Sequence, residues 1–315
     1  MNPQLTEISK NVLKNCLGLQ ENETFLVVTD DVKKELAESL YQAGKQLGAE
    51  AMLAVMRERN KSGEEPPAAI AAAMVNASVV VCITQHSLTH TQARKNAVAA
   101  GARVATMPGI TEDMFLEGAI AADYTKVSVI TKRVADLLTK GKKARIEKDG
   151  YNLAFSIADR NGIPSTGMYL NPGESGNLPS GEAYIAPIEE IAAGHILIDG
   201  SIAGIGKLNS PLLLTIEKGR IVRAEGDAAE KLLQILGDGD GRLLGEFGIG
   251  TNDKARITGV VLEDEKVYGT IHVAFGSNHT FGGTIAAGVH IDGVVSKPNV
   301  YIDDQLIMEN GQLIM

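Results

Sequence analysis

TFLVVTDDVKKELAESLYQAGKQLGAEAMLAVM, residues 24–56, decides the fold class of the amino-terminal half of the chain. It opens with a short apolar run typical of a buried strand, continues with apolar and charged residues at helical spacing, and closes on a second apolar run. A helical crossover of this length returns the chain to the same sheet in the same direction. The stretch therefore predicts a strand–helix–strand unit of a parallel sheet.

The same alternation continues to about residue 140, through ASVVVCIT, HTQARKNAVAAGA and RVATMPG. It predicts an α/β domain with a mostly parallel sheet over residues 1–142. Beyond it, short apolar stretches are separated by Gly, Asp-Gly and Asn-Gly turns, and only DAAEKLLQIL (227–236) is strongly helical. We expect residues 143–315 to form a β-rich α+β catalytic domain, and the segment 125–148 to be a basic helix across the boundary.

Composition narrows the class of protein. The 315 residues are 44% hydrophobic and 22% charged, which is ordinary for a globular protein with a sizeable core. The net charge of −9 is spread over short stretches without a long block of one sign, so nucleic acid is not an expected partner. No apolar run is long enough for a membrane span, and the first residues lack the pattern of an export signal. We expect a cytoplasmic protein.

Cys16 and Cys82 are the two cysteines of the chain. They are far apart and belong to no CxxC pair or disulfide framework. We expect both to be small, largely buried residues in a reducing compartment, not reactive thiols.

Three of the six histidines, His272, His279 and His290, lie in GTIHVAFGSNHTFGGTIAAGVHID, residues 269–292. If the first part is a strand, its two-residue period places His272 on a face of small residues, and the same period places His290 and Asp292 together. Taken singly, each histidine is typical of an ordinary hydrogen-bonded residue. Taken together, imidazoles and a carboxylate beside glycine-rich backbone favour a transition-metal site.

Two further carboxylates support that interpretation. Glu182 lies in GNLPSGEAYIAP and Glu246 in GEFGIGTN, each among glycines and apolar residues. A carboxylate in such surroundings needs a neutralising partner if it is buried. The alternative is that each lies in an exposed loop.

Two glycine motifs do not support nucleotide binding. GSIAGIGKL (200–208) resembles a phosphate loop, but the required first glycine is Ser201 and the residue after the lysine is Leu208. GIGTND (248–253) lacks the third glycine of a dinucleotide fingerprint. Neither stretch therefore indicates a nucleotide site.

Several motifs in order, NLPSGEAYIAP, GEFGIGTNDKARITGVVLEDEKVYGTIHVAFG, and HID followed by KPNVYIDDQLIMENGQ, resemble the aminopeptidase T and aminopeptidase S family of metallopeptidases. The resemblance is clear over residues 165–315 and extends to the amino-terminal domain only in its α/β character. It implies a homodimeric metal-dependent aminopeptidase that removes N-terminal residues from small peptides or aminoacyl compounds with a metal-activated water. It also implies two divalent ions, for which zinc, cobalt and manganese all suit the ligands.

Matched motif by motif, the resemblance implies the metal ligands Glu182, Glu246, His272, His279, His290 and Asp292. Among these it implies catalytic roles for Glu182, Glu246 and His279: one of the glutamates as proton shuttle, and His279 as a partner of the oxyanion or of a metal. His279 stands where the peptidases have a tyrosine, and this departure bears directly on peptide-bond chemistry, because a phenol and an imidazole differ in acidity.

Two other functions stay open. Ring-cleaving dihydroxypyridine dioxygenases are similar to the same peptidase group, and His272, His290 and Asp292 match the two-histidine, one-carboxylate set for a single Fe(II). A peptide- or metabolite-binding protein with a degraded site is the third possibility. His86 and His90 follow a predicted strand in the first domain, where they either border a substrate cleft or belong to the loop that starts a helix.

Overall fold

In a computed structural model of the protein, residues 3–314 are described and form two compact units. The first unit covers the chain up to Thr125 together with Gly167–Ser180. The second covers Lys126–Thr166 and the chain from Gly181 onward.

The secondary structure follows the alternation predicted for the first half and the strand-rich pattern predicted for the second. The helices among residues 3–314 are α1 (Pro3–Asn15), α2 (Lys34–Gln46), α3 (Ala68–Val75), α4 (Gln92–Ala99), α5 (Glu112–Leu116), α6 (Tyr124–Lys140), α7 (Ala229–Leu236) and α8 (Val261–Asp264). The strands are β1 (Thr24–Asp30), β2 (Glu50–Met56), β3 (Val79–Ile83), β4 (Arg103–Thr106), β5 (Lys143–Lys148), β6 (Tyr151–Ser156), β7 (Ile163–Ser165), β8 (Ser175–Asn177), β9 (Glu182–Ile185), β10 (Ala193–Ile198), β11 (Ser201–Ile202), β12 (Gly206–Lys207), β13 (Leu212–Glu217), β14 (Arg220–Glu225), β15 (Leu244–Gly250), β16 (Thr270–Gly276), β17 (His290–Ser296), β18 (Asn299–Ile302), β19 (Gln305–Glu309) and β20 (Gln312–Leu313).

The first unit contains a five-stranded sheet in the order β2-β1-β3-β4-β8, with every pair parallel. The side chains of β3 and β4 are all buried, as expected for strands covered on both faces. Leu26, Val28, Val80 and Val104 form much of the core on one face of this sheet, together with Met74 of α3.

The second unit contains two antiparallel sheets. One has the order β14-β13-β10-β6-β5-β18-β19-β20, and the other has the order β12-β11-β17-β16-β15-β9-β7. A common apolar core joins them, in which the rings of Phe155 and Phe247, one from each sheet, meet edge to face at 5.2 Å. Val134 and Leu138 of α6 belong to the same core. Because strands alternate, the other face of the second sheet is left for polar side chains.

These two architectures confirm the predicted fold class. The division of the chain differs from the boundary expected between residues 142 and 143, because most of α6 packs into the core of the second unit. In addition, β8 pairs with β4 and so belongs to the first unit. The three residues of β8, Ser-Gly-Asn, carry no apolar alternation that would predict this pairing.

The helix expected over 125–148 ends at Lys140. A Cβ atom at Gly141 would lie 2.4 Å from the side chain of Ile302, so this close approach suits a glycine. Residues 143–148 then form β5, which pairs with β6 and β18.

None of the helices in residues 3–314 combines the length and the apolar character that crossing a membrane requires.

Candidate metal centre

One face of the second sheet of the second unit carries five of the residues predicted for the site. Glu182 begins β9, Glu246 lies in β15, His272 in β16, and His290 and Asp292 in β17. These four strands are neighbours in the order β17-β16-β15-β9. Residues separated by more than a hundred positions are therefore brought onto one patch by antiparallel pairing.

The register of the strands leaves room for the functional groups. Ala274 lies between Glu246 and Asp292 in the ladder, and Gly248 lies opposite His272. A Cβ atom at Gly248 would fall 2.1 Å from Nε2 of His272, so only glycine allows this imidazole to lie over β15. The face of small residues expected around His272 is present.

The two imidazoles point at one carboxylate. Nε2 of His272 lies 3.2 Å from Oε1 of Glu246 and 3.3 Å from Oε2 of Glu182. Nε2 of His290 lies 3.4 Å from Oε2 of Glu246 and 3.5 Å from Oδ1 of Asp292. The carboxylate of Glu246 thus has one oxygen directed at each histidine.

Burial and the neighbouring charges shift the pKa values of these groups. Burial lowers the pKa of His272, but the carboxylates of Glu246 and Glu182 outweigh it and raise the value to about 9. Burial likewise lowers the pKa of His290, and Asp292 and Glu246 raise it well above its ordinary value. Burial raises the pKa of Glu246, whereas the two histidines bring it down to about 2. The centre therefore favours cations, whether protons or metal ions.

Two further charged residues complete the centre, and the sequence did not indicate either of them. The side chain of Lys266 is 1% exposed, and its Nζ lies 2.8 Å from Oε1 of Glu182 and also contacts Oε1 of Glu265. Both residues follow α8 in the run LEDEKVYG, whose alternating charges are typical of a solvated surface. The sequence offered one signal for them, namely that Glu265 and Lys266 come just before the strand that carries His272.

The same surroundings shift the pKa values of this pair. Burial raises the pKa of Glu265 to about 8, with Glu182 and Asp292 adding to the rise and Lys266 opposing it. Burial lowers the pKa of Lys266, but the two glutamates beside it raise it above its ordinary range. The lysine is therefore a buried, charged cation beside the carboxylates.

The donor set fits metal ions. Glu182, Glu265 and His272 form one group whose ligand atoms lie within 4.8 Å of one another, and Glu246, His290 and Asp292 form a second such group. Oε2 of Glu182 and Oδ1 of Asp292 are buried without a hydrogen bond. Buried carboxylate oxygens are ordinarily satisfied, so these atoms suit cation ligation.

A glycine-rich loop over residues 277–289 borders the centre. Nδ1 of His290 donates a hydrogen bond to the carbonyl of Ser277 at 2.8 Å, which orients Nε2 toward the carboxylates. His279 lies in the loop and donates from Nδ1 to the carbonyl of Ile285 at 3.1 Å. It belongs to neither group of ligand atoms, so the structure does not bring this predicted ligand together with the other five. The ring of Phe281 stands edge-on to His290 at 6.0 Å.

The remaining histidines lie elsewhere. In the first unit, His86 follows β3, with Nε2 3.6 Å from a carboxylate oxygen of Glu58, and His90 lies in the loop before α4. In the second unit, His195 is an exposed residue of β10 whose ring lies 6.1 Å from that of Tyr151. None of these three belongs to either ligand group.

Comparison with known proteins identifies the family. The sequence profile of the family described as "NicX: 2,5-dihydroxypyridine 5,6-dioxygenase" matches residues 4–315. The 2,5-dihydroxypyridine dioxygenase of Pseudomonas putida KT2440 has a similar structure, with a TM-score of 0.84 and 19% identity over 100% of this chain and 98% of that one. AmpT of Thermus thermophilus is similar with a TM-score of 0.72 and 17% identity over 99% of both chains.

No curated protein matches the sequence. At 19% and 17% identity, these two structural similarities show a shared fold and nothing further. This chain, the 2,5-dihydroxypyridine dioxygenase and AmpT therefore have similar folds. On the match over residues 4–315, the chain belongs to the NicX family.

Proposed function

We propose that the protein is a metal-dependent aminopeptidase with two divalent ions in one centre. The observation that carries the proposal is the carboxylate of Glu246, whose two oxygens face His272 and His290 separately. A carboxylate placed in this way is suited to bridge two cations. The residues that would hold them are Glu182, Glu265 and His272 on one side, and Glu246, His290 and Asp292 on the other.

Charge balance supports two ions over one. The centre contains four carboxylates, those of Glu182, Glu246, Glu265 and Asp292, and one cation, Lys266. One divalent ion would leave a net negative charge in a largely buried site, whereas two ions and a hydroxide leave none. Glu265 and Lys266 carry opposite charges, so the balance does not depend on this pair.

When bound, two divalent ions would supply a nucleophilic water at neutral pH and would polarise the scissile carbonyl. Of the chain's own residues, Glu182 is assigned the transfer of a proton to the leaving amine, because it lies at the centre while Glu246 has one oxygen directed at each ion position. Nδ1 of His279 already donates to the carbonyl of Ile285, so a hydrogen bond from Nε2 to the substrate carbonyl would require the ring to carry a proton on both nitrogens.

The proposed substrate is a small peptide or aminoacyl compound with an apolar first residue. Phe281 packs edge-on against both Tyr184 and His290, at 5.5 Å and 6.0 Å, and so forms an aromatic wall beside the centre. The side chain of His290 is 31% exposed, which leaves this side of the centre accessible. Apolar side chains are favoured against aromatic rings.

Metal content and hydrolysis test the proposal together. The protein is purified without chelator, its metal content per chain is measured, and hydrolysis of aminoacyl p-nitroanilides is followed. We expect two divalent ions and activity in the wild type, and loss of both in His290→Ala. His195→Ala is the matched control, since it removes an exposed imidazole outside both ligand groups, and it should retain metal and activity. Full hydrolysis by His290→Ala contradicts the proposal.

The family match favours one alternative, a ring-cleaving dioxygenase with a single Fe(II). His272, His290 and Asp292 would then supply two imidazoles and one carboxylate, and Glu182 and Glu246 would contact the substrate. Anaerobic purification distinguishes the two functions. One iron per chain with oxygen uptake on 2,5-dihydroxypyridine supports the dioxygenase, whereas two ions with amide hydrolysis support the aminopeptidase.

The proposal extends to a homodimer acting in the cytoplasm. The peptidase resemblance is what supports the dimer, and light scattering coupled to size-exclusion chromatography tests it. A mass of one chain at micromolar concentration contradicts the dimer and leaves the chemistry at the centre untouched.

A further inference from the structure

Lys266 occupies a position that is unusual for a lysine. Its side chain is 1% exposed, and Nζ lies between two carboxylates, 2.8 Å from Oε1 of Glu182 and in contact with Oε1 of Glu265. Lysine is rarely buried unless it is paired. Here both partners are themselves members of a candidate ligand group.

The two groups of ligands consequently carry different charges. Glu182 and Glu265 are neutralised in part by Lys266, so their group has a net charge of about one negative unit when all three are ionised. Glu246 and Asp292 have no lysine or arginine among their ion-pair partners in the described residues, and their group keeps both negative charges. The carboxylate of Glu246 faces both positions, whereas the positive charge of Lys266 lies against the first group alone, so it is the first group whose attraction for a divalent cation is reduced.

Oxygen atoms remain for a cation in the first group even with the lysine in place. Lys266 contacts Oε1 of Glu182, whereas Oε2 of the same carboxylate is buried, makes no hydrogen bond and lies 3.3 Å from Nε2 of His272. One carboxylate is therefore shared between an internal cation and the ligand position.

We propose that Lys266 is an internal cation that weakens the metal position formed by Glu182, Glu265 and His272, so that the two positions fill unequally. The position of Glu246, His290 and Asp292 binds its ion tightly, and the position beside the lysine holds an ion that exchanges more readily. This inference rests on the proposed two-metal function and adds to it a division between a retained and an exchangeable ion.

Zinc titration of the full-length, chelator-stripped protein tests the division without any assay of activity. Bound zinc per chain is measured by equilibrium dialysis against buffers of fixed free zinc. In the wild type we expect two steps, with the second needing at least about tenfold more free zinc than the first. In Lys266→Met, which keeps an unbranched side chain only one atom shorter and removes the charge, the second step should move to at least about tenfold lower free zinc, while the first step stays in place.

Two further variants control for damage to the centre. Glu265→Gln removes a negative charge and a strong ligand, so it should weaken the second step. The double variant Glu265→Gln/Lys266→Met loses one charge of each sign together with the ligand, so its second step should fall between those of the two single variants. Circular dichroism checks that each variant is folded. If Lys266→Met fails to fold, the second step of the double variant is compared with that of Glu265→Gln. A second step at lower free zinc in the double variant supports the inference, and one at equal or higher free zinc contradicts it.

The direction of the shift separates this role from a merely positional one. If Lys266 only holds Glu182 in place, its removal weakens the second step, and that result overturns the inference. Two zinc ions with superimposable curves in the wild type and Lys266→Met also overturn it, and leave the proposed function standing. A single zinc step in both proteins overturns the two-metal function and this inference with it.

Discussion

At the residue scale, Gly248 makes the position of His272 possible. The two residues are opposite each other in the ladder between β15 and β16, and the imidazole lies over the glycine. Any side chain at residue 248 would occupy the space of Nε2 and Cε1, where a Cβ atom would approach to 2.1 Å and 2.2 Å. The candidate metal centre therefore depends on a residue that contributes no ligand.

We expect Gly248→Ala to weaken metal binding about 10- to 100-fold, because His272 must rotate away from Glu246 and Glu182. Zinc per chain at fixed free zinc measures the effect. Gly239→Ala is the control, since a Cβ atom there meets nothing within 4 Å and the backbone is not left-handed. Unchanged zinc binding in Gly248→Ala would show that His272 is not a ligand.

A second prediction at this scale concerns the cysteines. Cys16 and Cys82 are both 1% exposed. Burial raises the pKa of Cys82 to about 12 and raises that of Cys16 as well, so neither thiol ionises near neutral pH. We expect no reaction with DTNB at pH 8 in the native protein and rapid reaction of both thiols in guanidinium chloride. Fast labelling of the folded protein contradicts the burial of these residues.

At the scale of elements, a bulge in β15 directs Glu246 to the candidate metal centre. The register with β16 shifts between Leu244 and Glu246, so Leu244 joins the core while Glu246 lies on the opposite face. Without the extra residue, strict alternation would place both side chains on the same face. Gly245 allows the bulge, because a Cβ atom there would lie 2.4 Å from the carbonyl oxygen of Gly276.

The loop over residues 277–289 is held in place by Asn278. Its side chain is fully buried, accepts a hydrogen bond from the amide of Ile285 at 2.7 Å and donates one to Glu189 at 3.3 Å. Glu189 also accepts from the amide of Thr284 and from Arg160. The loop that orients His290 is therefore fixed by buried polar contacts.

We expect Asn278→Ala to lower the free energy of unfolding by about 1–3 kcal/mol, because it leaves the amide of Ile285 without a partner. Urea unfolding measures the change. Thr284→Ala serves as the control, since Thr284 is exposed and contributes its backbone amide, and it should change stability by less than about 0.5 kcal/mol. Equal stability of the two variants would contradict the role assigned to Asn278.

At the scale of the whole molecule, stability depends on what balances the charges of the centre. His272 and Glu265 have raised pKa values of about 9 and about 8 in the folded, metal-free chain, against 6.5 and 4.5 as ordinary values. A group with a raised pKa stabilises the fold fully below its unfolded pKa and loses that contribution as the pH rises through its folded pKa. Between pH 6.5 and 8, the contributions of His272 and Glu265 to the free energy of unfolding therefore both decrease.

We expect the free energy of unfolding of the chelator-treated protein to fall from pH 6.5 to 8. The fall should be about 1.4 kcal/mol per pH unit for each proton that the folded chain binds and the unfolded chain does not. Urea unfolding at the two pH values measures it. Saturating zinc displaces these protons and should abolish the fall. Glu246, whose pKa is lowered to about 2, contributes only at the acid end, where its stabilisation is lost as the pH drops through that value. Constant stability across the window without metal contradicts the prediction.

Local periodicity accounts for what could be predicted of the centre. The two-residue period of strands placed His272 away from the core and put His290 and Asp292 on one face, and both features are present. Glycine and apolar neighbours marked Glu182 and Glu246 as carboxylates in need of a partner. Such signals survive in the sequence because each depends on residues only a few positions apart.

The amino-acid sequence by itself determined the alternating α/β half, the strand-rich half and the faces of individual strands, since these follow from periods of 3.6 and 2 residues. Only the tertiary structure decided the pairing of β8 with β4, the bulge at Gly245 and the burial of Lys266 between Glu182 and Glu265. The reason is physical: burial, register and ion pairing are set by residues far apart in the chain. A charged run such as EDEK has the same local pattern on a surface and inside a metal centre.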